Sequence, residues 1–176
     1  IGQPNVGKST LLNALTGERM SIITNKPQTT RHRILGIVST EEYQLVFSDT
    51  PGFIEQPRYK MQERMNDFVA STFEDGDLQM LVVDATEPFM LQYSDALLKK
   101  LQQLQGQVPV FLVINKIDQR TEGQLKELRA QWAKTFDFTQ VFEVSALEKR
   151  GIEELLAAVI EQMPRPPAAR FRLSRD

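Results

Sequence analysis

Short apolar runs alternate along this chain with longer segments in which apolar residues recur at helical spacing. Two runs, Leu78 to Val83 and Val108 to Ile114, are almost wholly apolar, which is typical of parallel strands buried on both faces. The segment between them, Leu91 to Leu104, carries leucines at helical spacing and is predicted to form an amphipathic helix. A strand, a helix and a second strand in that order predict one unit of a parallel sheet.

The rest of the chain extends this arrangement. A β-hairpin is predicted from Arg33 to Val38 and Tyr43 to Phe47, and a short strand from Val141 to Val144. Further helices are predicted at Leu11 to Leu15, Tyr59 to Phe73, Gly123 to Phe136 and Ile152 to Met163. The polar stretches Glu18 to Arg31 and Asp49 to Arg58 are predicted to be loops. We therefore expect an α/β fold with a mainly parallel, six-stranded sheet and helices on both faces.

Composition fits one globular domain without a general attraction to polyanions. The 176 residues are 41% hydrophobic and 25% charged, and the formal net charge is −2. Any contact with RNA therefore has to be local or carried by another domain. The chain has no cysteine, which excludes disulfides and thiolate chemistry and fits a reducing compartment. No apolar run approaches the roughly 20 residues that a membrane helix needs.

The first residues match a phosphate-binding loop. Gly2 to Ser9 follows the pattern G-x-x-x-x-G-K-S, whose glycines let backbone N–H groups approach a polyphosphate. Lys8 can reach the outer phosphates, Ser9 can ligate Mg2+, and the following helix adds its positive N-terminal end. The predicted phosphate-binding residues are Gly2, Gln3, Pro4, Asn5, Val6, Gly7, Lys8, Ser9 and Thr10.

The two ends of the sequence bear on domain organisation. A phosphate-binding loop normally follows a buried central strand, yet only Ile1 precedes Gly2. We therefore expect the natural protein to begin upstream, with the first of the six strands before this sequence. Residues 1–163 are expected to form the nucleotide-binding domain. Residues 164–176 are rich in proline and arginine and are expected to be a connector that leaves it.

Two further segments can complete a site for phosphate and metal. Asp49 ends the second hairpin strand, where its carboxylate can hold Mg2+ through water, and the Gly52 N–H can point at the terminal phosphate. The hydroxyl of Thr30 can complete the Mg2+ shell, and loss of the phosphate would then release its loop. Lys8, Thr30 and Gly52 are thus the predicted catalytic residues. A plain turn at Asp49 and a solvated loop at Thr30 are the alternatives.

The segments after the last two strands can recognise a base. In Asn115-Lys116-Ile117-Asp118, the Asp118 carboxylate offers two acceptors to the two adjacent donors that guanine has and adenine lacks. The stem of Lys116 can lie on the face of the base, and Asn115 can brace the loops. In Ser145-Ala146-Leu147 we expect the Ala146 N–H to donate to the guanine oxygen. The predicted ligand is therefore GTP or GDP.

In this order the motifs resemble the translation-factor class of GTPases, and the similarity spans nearly the whole chain. Gly2 to Thr10 and the segment Gln28-Thr29-Thr30-Arg31-His32-Arg33 resemble the Era family of bacterial GTPases in particular. The resemblance implies GTP hydrolysis with Mg2+, assistance to small ribosomal subunit assembly and rRNA maturation, and contact with that rRNA. It also implies a C-terminal KH-type RNA-binding domain, which is not in this sequence.

The resemblance has further implications for the ions and the whole protein. Related GTPases with asparagine at the loop position that matches Asn5 bind K+, so Asn5 is a candidate K+ ligand. A role in shaping the loop is the alternative. The protein is expected to be a cytoplasmic monomer, and a peripheral association with the inner face of the cell membrane is left open.

One position predicts slow hydrolysis in the absence of an activator. Many GTPases orient the attacking water with a glutamine directly after D-x-x-G, and here that position is Phe53, which can neither donate nor accept a hydrogen bond. Three alternatives stay open. They are a sibling GTPase acting on tRNA modification or the large subunit, a GTP-gated binding module with negligible turnover, and a P-loop kinase, against which Asp118 argues.

Overall fold

The computed structural model describes residue 2 and residues 5–17, 20–21, 33–49 and 76–164. Within these ranges the strands are β1 (Met20–Ser21), β2 (Arg33–Ser39), β3 (Gln44–Asp49), β4 (Gln79–Asp84), β5 (Val110–Asn115) and β6 (Gln140–Glu143). The helices there are α1 (Lys8–Thr16), α2 (Phe89–Gln92), α3 (Asp95–Leu104), α4 (Glu122–Thr135) and α5 (Ile152–Gln162), with a short 3-10 helix at Ile117–Gln119. None of these helices combines the length and apolar character needed to cross a membrane.

The described strands form two sheets. β1, β2 and β3 are antiparallel neighbours in that order, which confirms the predicted hairpin. β4, β5 and β6 are parallel neighbours, which confirms the predicted α/β class. No described strand joins β3 to β4, so the expected single six-stranded sheet is seen here as two sheets of three strands. The expectation of a strand before Ile1 stays a prediction.

Two expected elements differ from the structure. The segment Leu91 to Leu104 was expected to be one helix, but α2 ends at Gln92 and α3 begins at Asp95. Ser94 causes the new start because its hydroxyl accepts a hydrogen bond from the Leu97 N–H as a helix N-cap. The predicted loop Glu18 to Arg31 contains β1, whose two residues pair with Val38 and Ile37 of β2.

Alternate residues of β5 enter two separate hydrophobic cores. Phe111 and Val113 pack with residues of α1, α5, β3 and β4, whereas Leu112 and Ile114 pack with residues of α3 and α4 on the other face. All four side chains are fully buried. Strand alternation sends successive side chains to opposite faces, so helices cover both faces of the parallel sheet as predicted. This packing fixes the carboxyl ends of β4 and β5 side by side, with Asp84 paired to Asn115 in the register.

Candidate nucleotide-binding site

The loop before α1 packs directly on the parallel sheet. A Cβ atom added to Gly2 would lie 2.5 Å from the carbonyl oxygen of Val82 in β4, and one added to Gly7 would lie under 3.0 Å from the Asn115 amide nitrogen. Gly7 also has φ 89°, a left-handed conformation that glycine adopts without strain. Both glycines of the phosphate-binding pattern are therefore required by contact with the strands, quite apart from any phosphate.

The first turn of α1 carries the residues expected to meet phosphate and metal. The Lys8 ammonium donates to the Gly2 carbonyl at 2.9 Å, which holds the side chain across the loop. The side chains of Ser9 and Thr10 are exposed. An incoming phosphate can therefore compete for Lys8, and the Ser9 hydroxyl is accessible to a metal ion.

The buried side chain of Asn115 joins two loops, as expected of a brace. Its amide nitrogen donates to the Val6 carbonyl at 3.0 Å, and its amide oxygen accepts from the Ala146 N–H at 3.0 Å. The second bond uses the same Ala146 N–H that is predicted to donate to the guanine oxygen, and that contact with guanine stays a prediction. A buried amide oxygen needs a donor, so a guanine contact at Ala146 would have to share or replace this bond.

Lys116 links the phosphate-binding loop to β4. Its ammonium donates to the Asn5 carbonyl at 2.8 Å and lies 2.6 Å from a carboxylate oxygen of Asp84. The sequence reasoning missed Asp84. The available signal was a carboxylate placed at the end of a buried apolar strand, where its charge needs a partner.

The environment of Asp84 keeps it ionised. Burial raises the pKa of its carboxyl, but the hydrogen bonds from Lys116 and Thr86 and the charge of Lys116 outweigh burial and hold the pKa below its ordinary value of 3.8. The Thr86 N–H and hydroxyl both donate to Oδ1, and Lys116 takes Oδ2. Asp84 is therefore a fixed anion beside the loop.

Asp118 is oriented by Ser145. The Ser145 hydroxyl, which is fully buried, donates to Oδ1 of Asp118 at 2.8 Å and accepts from the Glu148 N–H at 3.2 Å. The sequence analysis placed Ser145 in a segment that binds the guanine base but missed this role of its hydroxyl. Because Oδ1 faces Ser145, the remaining acceptor directions of the carboxylate can serve a ligand.

These loops enclose a cavity of about 170 Å³. Its lining residues are Gly7, Thr10, Asn115, Lys116, Asp118, Gln119, Ser145, Ala146 and Leu147. Whole-ligand pockets usually measure about 300–1,000 Å³, so this cavity suits the base portion of a nucleotide rather than all of it. The base-recognition motifs, which lie far apart in sequence, thus converge on one small pocket beside Gly7 at the start of α1.

Several predicted site residues lie outside the described residues. These are Gln3, Pro4, Thr30 and Gly52, together with Phe53. Asp49 ends β3, as expected, but only its backbone is described. Among the described residues, Ser9 presents an exposed hydroxyl in the first turn of α1, which fits Mg2+ because this ion prefers oxygen ligands.

Comparison with known proteins identifies relatives of this site. A family described as 50S ribosome-binding GTPase matches residues 1–116. GTPase Era of Clostridium kluyveri is 38% identical over 168 residues, which cover 95% of this chain and 56% of that relative. The chain therefore spans about half the length of the curated relatives that it matches.

Two solved structures share the fold at recognisable sequence identity. A tyrosine-to-alanine variant of Aquifex aeolicus Era, bound to GDP and AlF4−, has a TM-score of 0.70 and 32% identity. Era in complex with MgGDPNP and nucleotides 1506–1542 of 16S ribosomal RNA has a TM-score of 0.70 and 31% identity. Each match covers 94% of this chain and 56% of the other. The relatives named here are Era proteins, and this chain belongs to the family described as 50S ribosome-binding GTPases.

Proposed function

We propose that this domain binds GTP and hydrolyses it to GDP and phosphate as an Era-like molecular switch. The observation that carries the proposal is the pair of hydrogen bonds made by Asn115 to Val6 and Ala146. They tie the phosphate-binding loop to the base-recognition loops, which is what a site for one nucleotide requires.

Guanine recognition rests on Asp118. Its carboxylate can accept from the ring N–H and the exocyclic amine of guanine, and Ser145 fixes its orientation at the cavity. Lys116 lines the same cavity and can cover one face of the base with its alkyl stem. Adenine lacks the paired donors, so an adenine nucleotide would leave the carboxylate without its partners.

The phosphates would lie along the loop and the first turn of α1. Lys8 and the loop N–H groups would hold the β- and γ-phosphates, while Ser9, Thr30 and, through water, Asp49 would hold Mg2+. When bound, Mg2+ neutralises the charge that develops on the phosphate oxygens. The Gly52 N–H would hold the terminal phosphate, so that binding of GTP orders the loops around Thr30 and Gly52.

Slow intrinsic turnover is part of the proposal. Phe53 occupies the position from which a glutamine orients water in other GTPases, so a partner or a cation has to assist. Asn5 is proposed as a K+ ligand. Its φ of 67° also fits the alternative that it shapes the loop, because asparagine tolerates this left-handed conformation. Equal turnover in K+ and in Na+ would leave only the loop-shaping role.

The cellular role is proposed from the relatives. One Era structure contains a fragment of 16S ribosomal RNA, which supports a role in small-subunit assembly and rRNA maturation. Residues 164–176 would connect to a KH-type RNA-binding domain, in a cytoplasmic monomer that could also associate with the inner membrane face. The family description names the 50S particle, which favours a large-subunit client as the second candidate.

The test is GTP hydrolysis by the whole protein in K+ and in Na+, alone and with small or large ribosomal subunits. The proposal expects turnover that is slow alone and is raised by the small subunit. Stimulation by the large subunit alone would contradict the small-subunit role and support the second candidate. Nucleotide binding with no turnover under any condition would contradict hydrolysis and leave a GTP-gated binding module.

A further inference from the structure

Asp84, the last residue of β4, is hydrogen-bonded through both its carboxylate and its main chain. Both oxygens of its carboxylate are bonded, Oδ1 to Thr86 and Oδ2 to Lys116. Both main-chain groups of Asp84 are bonded to the side-chain amide of buried Gln92, whose oxygen accepts from the N–H at 2.6 Å and whose nitrogen donates to the carbonyl at 2.8 Å. A side chain fixed in this way has little freedom to reorient.

The side-chain amide of Gln92 bonds the two main-chain groups of Asp84 as the backbone of a neighbouring strand would. The Ala85 N–H donates to Asn115 of β5, so by strand alternation the Asp84 N–H and carbonyl face the opposite edge of β4. These two groups would need partners there, and the planar amide of Gln92 supplies one acceptor and one donor. Gln92 also donates to the Glu87 carbonyl at 3.2 Å, which ties the turn after β4 to the same point.

Arg120, which follows Asp118 in the base-recognition loop, is hydrogen-bonded to the same turn after β4. Its Nε donates to the Ala85 carbonyl at 3.0 Å, and its Nη2 donates to the Thr86 carbonyl. In sequence, Lys116 and Arg120 lie two residues before and two residues after Asp118. Both are bonded to the segment from Asp84 to Thr86. The turn after β4 is a common support for the loop that carries Asp118.

Lys116 needs such a support. Its backbone has φ 68°, a left-handed conformation that is strained for a residue other than glycine and persists only where the surroundings hold it. A lysine side chain is also long and flexible, so its stem covers a base well only if the ammonium is anchored. The anchors are the Asn5 carbonyl and the Asp84 carboxylate, and only Asp84 carries a charge.

We propose that Asp84 is a positioning residue for guanine binding, acting through Lys116. The buried carboxylate fixes the ammonium so that the lysine stem forms one wall of the base cavity and the Asn5 end of the phosphate-binding loop is held beside it. This inference rests on the proposed guanine-nucleotide function. Asp84 would then be a determinant of base affinity although it lies outside the phosphate-binding loop and outside the two segments that contain Asp118 and Ser145.

The test is a double-mutant cycle in the whole protein, read out by the dissociation rate of a fluorescent GDP. Asp84→Asn keeps the shape of the side chain but removes its charge, and we expect dissociation to accelerate on the order of tenfold, as for loss of one charged hydrogen bond. Because Asp84 acts through Lys116, Asp84→Asn should have little further effect once Lys116 is replaced. Adding it to Lys116→Met should change the dissociation rate by less than about twofold, which is within the usual error of additivity.

The control variant is Asp77→Asn, which makes the same chemical change at an exposed position before β4 and should leave the rate unchanged. The proposal would be overturned if the dissociation rate of the double variant rose by the product of the two single-variant effects. An unchanged dissociation rate in Asp84→Asn would also overturn it.

A second readout needs no nucleotide. Acylation of Lys116 by an amine-reactive ester, measured by peptide mass spectrometry in the nucleotide-free protein, should be several-fold faster in Asp84→Asn, with Lys99 as the internal reference. Equal labelling of Lys116 in both proteins would overturn the positioning role. If the unsubstituted protein bound no guanine nucleotide, the proposed function would fail, whereas this labelling would still decide whether Asp84 fixes Lys116.

Discussion

The amide nitrogen of Asn115 lies 3.0 Å from the carbonyl oxygen of Val6, a residue 109 positions earlier in the chain. This contact joins the end of β5 to the loop before α1. The same side chain reaches the Ala146 N–H after β6, so one buried amide holds together three segments that are distant in sequence. The arrangement makes the site sensitive to substitutions at its supports as well as at its ligand contacts.

Replacing Asn115 with alanine should destabilise the protein and weaken GDP binding. The change leaves the Val6 carbonyl and the Ala146 N–H without their partner, and each such loss typically costs about 1–3 kcal/mol. Urea unfolding should show a fall of at least about 1 kcal/mol in the free energy of unfolding. Asn13→Ala, at an exposed position of α1, is the control. Equal stability of the two variants would contradict the bracing role.

Gly7→Ala should be far more damaging than Gly106→Ala. Both glycines have positive φ, 89° and 80°, so both substitutions carry the same kind of backbone strain. Only the new methyl at position 7 meets a neighbour, the Asn115 amide, whereas position 106 has open space within 4 Å. We expect an extra loss of about 1–3 kcal/mol for Gly7→Ala, measured by thermal or urea unfolding. Similar losses would show that the contact with Asn115 is unimportant.

Ser145→Ala should weaken GDP binding with only a modest effect on stability. The substitution removes the hydroxyl that orients Asp118 and satisfies the Glu148 N–H, and such bonds contribute about 0.5–1.5 kcal/mol each. Calorimetric titration should show affinity lowered by several-fold to about tenfold. Ser48→Ala, at an exposed position of β3, should bind GDP normally. Unchanged affinity in Ser145→Ala would mean that Asp118 is oriented by other groups.

Acid should remove the stabilising effect of Asp84. Its pKa is lowered in the folded protein, so the carboxylate stabilises the fold above the ordinary value of 3.8, and that stabilisation is lost as the pH falls below 3.8 through the folded pKa. The stability difference between the unsubstituted protein and Asp84→Asn should therefore be constant above about pH 5 and shrink below pH 3.8. Urea unfolding across this range checks it. A stability difference that grows as the pH falls would mean that folding raises the pKa of Asp84 and would contradict the prediction.

Sequence patterns predicted most of the described elements because their hydrophobic periods are unambiguous. The apolar run Val108 to Ile114 was predicted as a strand and corresponds to β5. The glycines of the phosphate-binding loop were predicted to let it approach phosphate, and their contacts with Val82 and Asn115 were not foreseen. The break at Ser94 was missed because the leucine spacing continues across it, although a serine followed by an acidic residue is a helix-start signal. The two-residue strand β1 is too short to show any period.

The candidate site was predicted less completely than the fold. Asn115 braces the loops as its motif suggested, because the motif specifies both the residue type and its position after a strand. The partnerships of Asp84 with Lys116 and of Ser145 with Asp118 depend on which strands are neighbours, and no local pattern encodes that pairing. The use of the Ala146 N–H by Asn115 likewise follows from packing.

The central claim, recognition of guanine by Asp118, is tested most directly by the nucleotide specificity of Asp118→Asn. Because the Ser145 hydroxyl holds Oδ1, the new amide nitrogen should take the other position and face the ligand as a donor. We predict that competition binding will show GDP affinity lowered on the order of a hundredfold or more, with xanthosine diphosphate now preferred, since xanthine carries an oxygen where guanine has its amine. Retention of full GDP affinity by this variant would contradict the account.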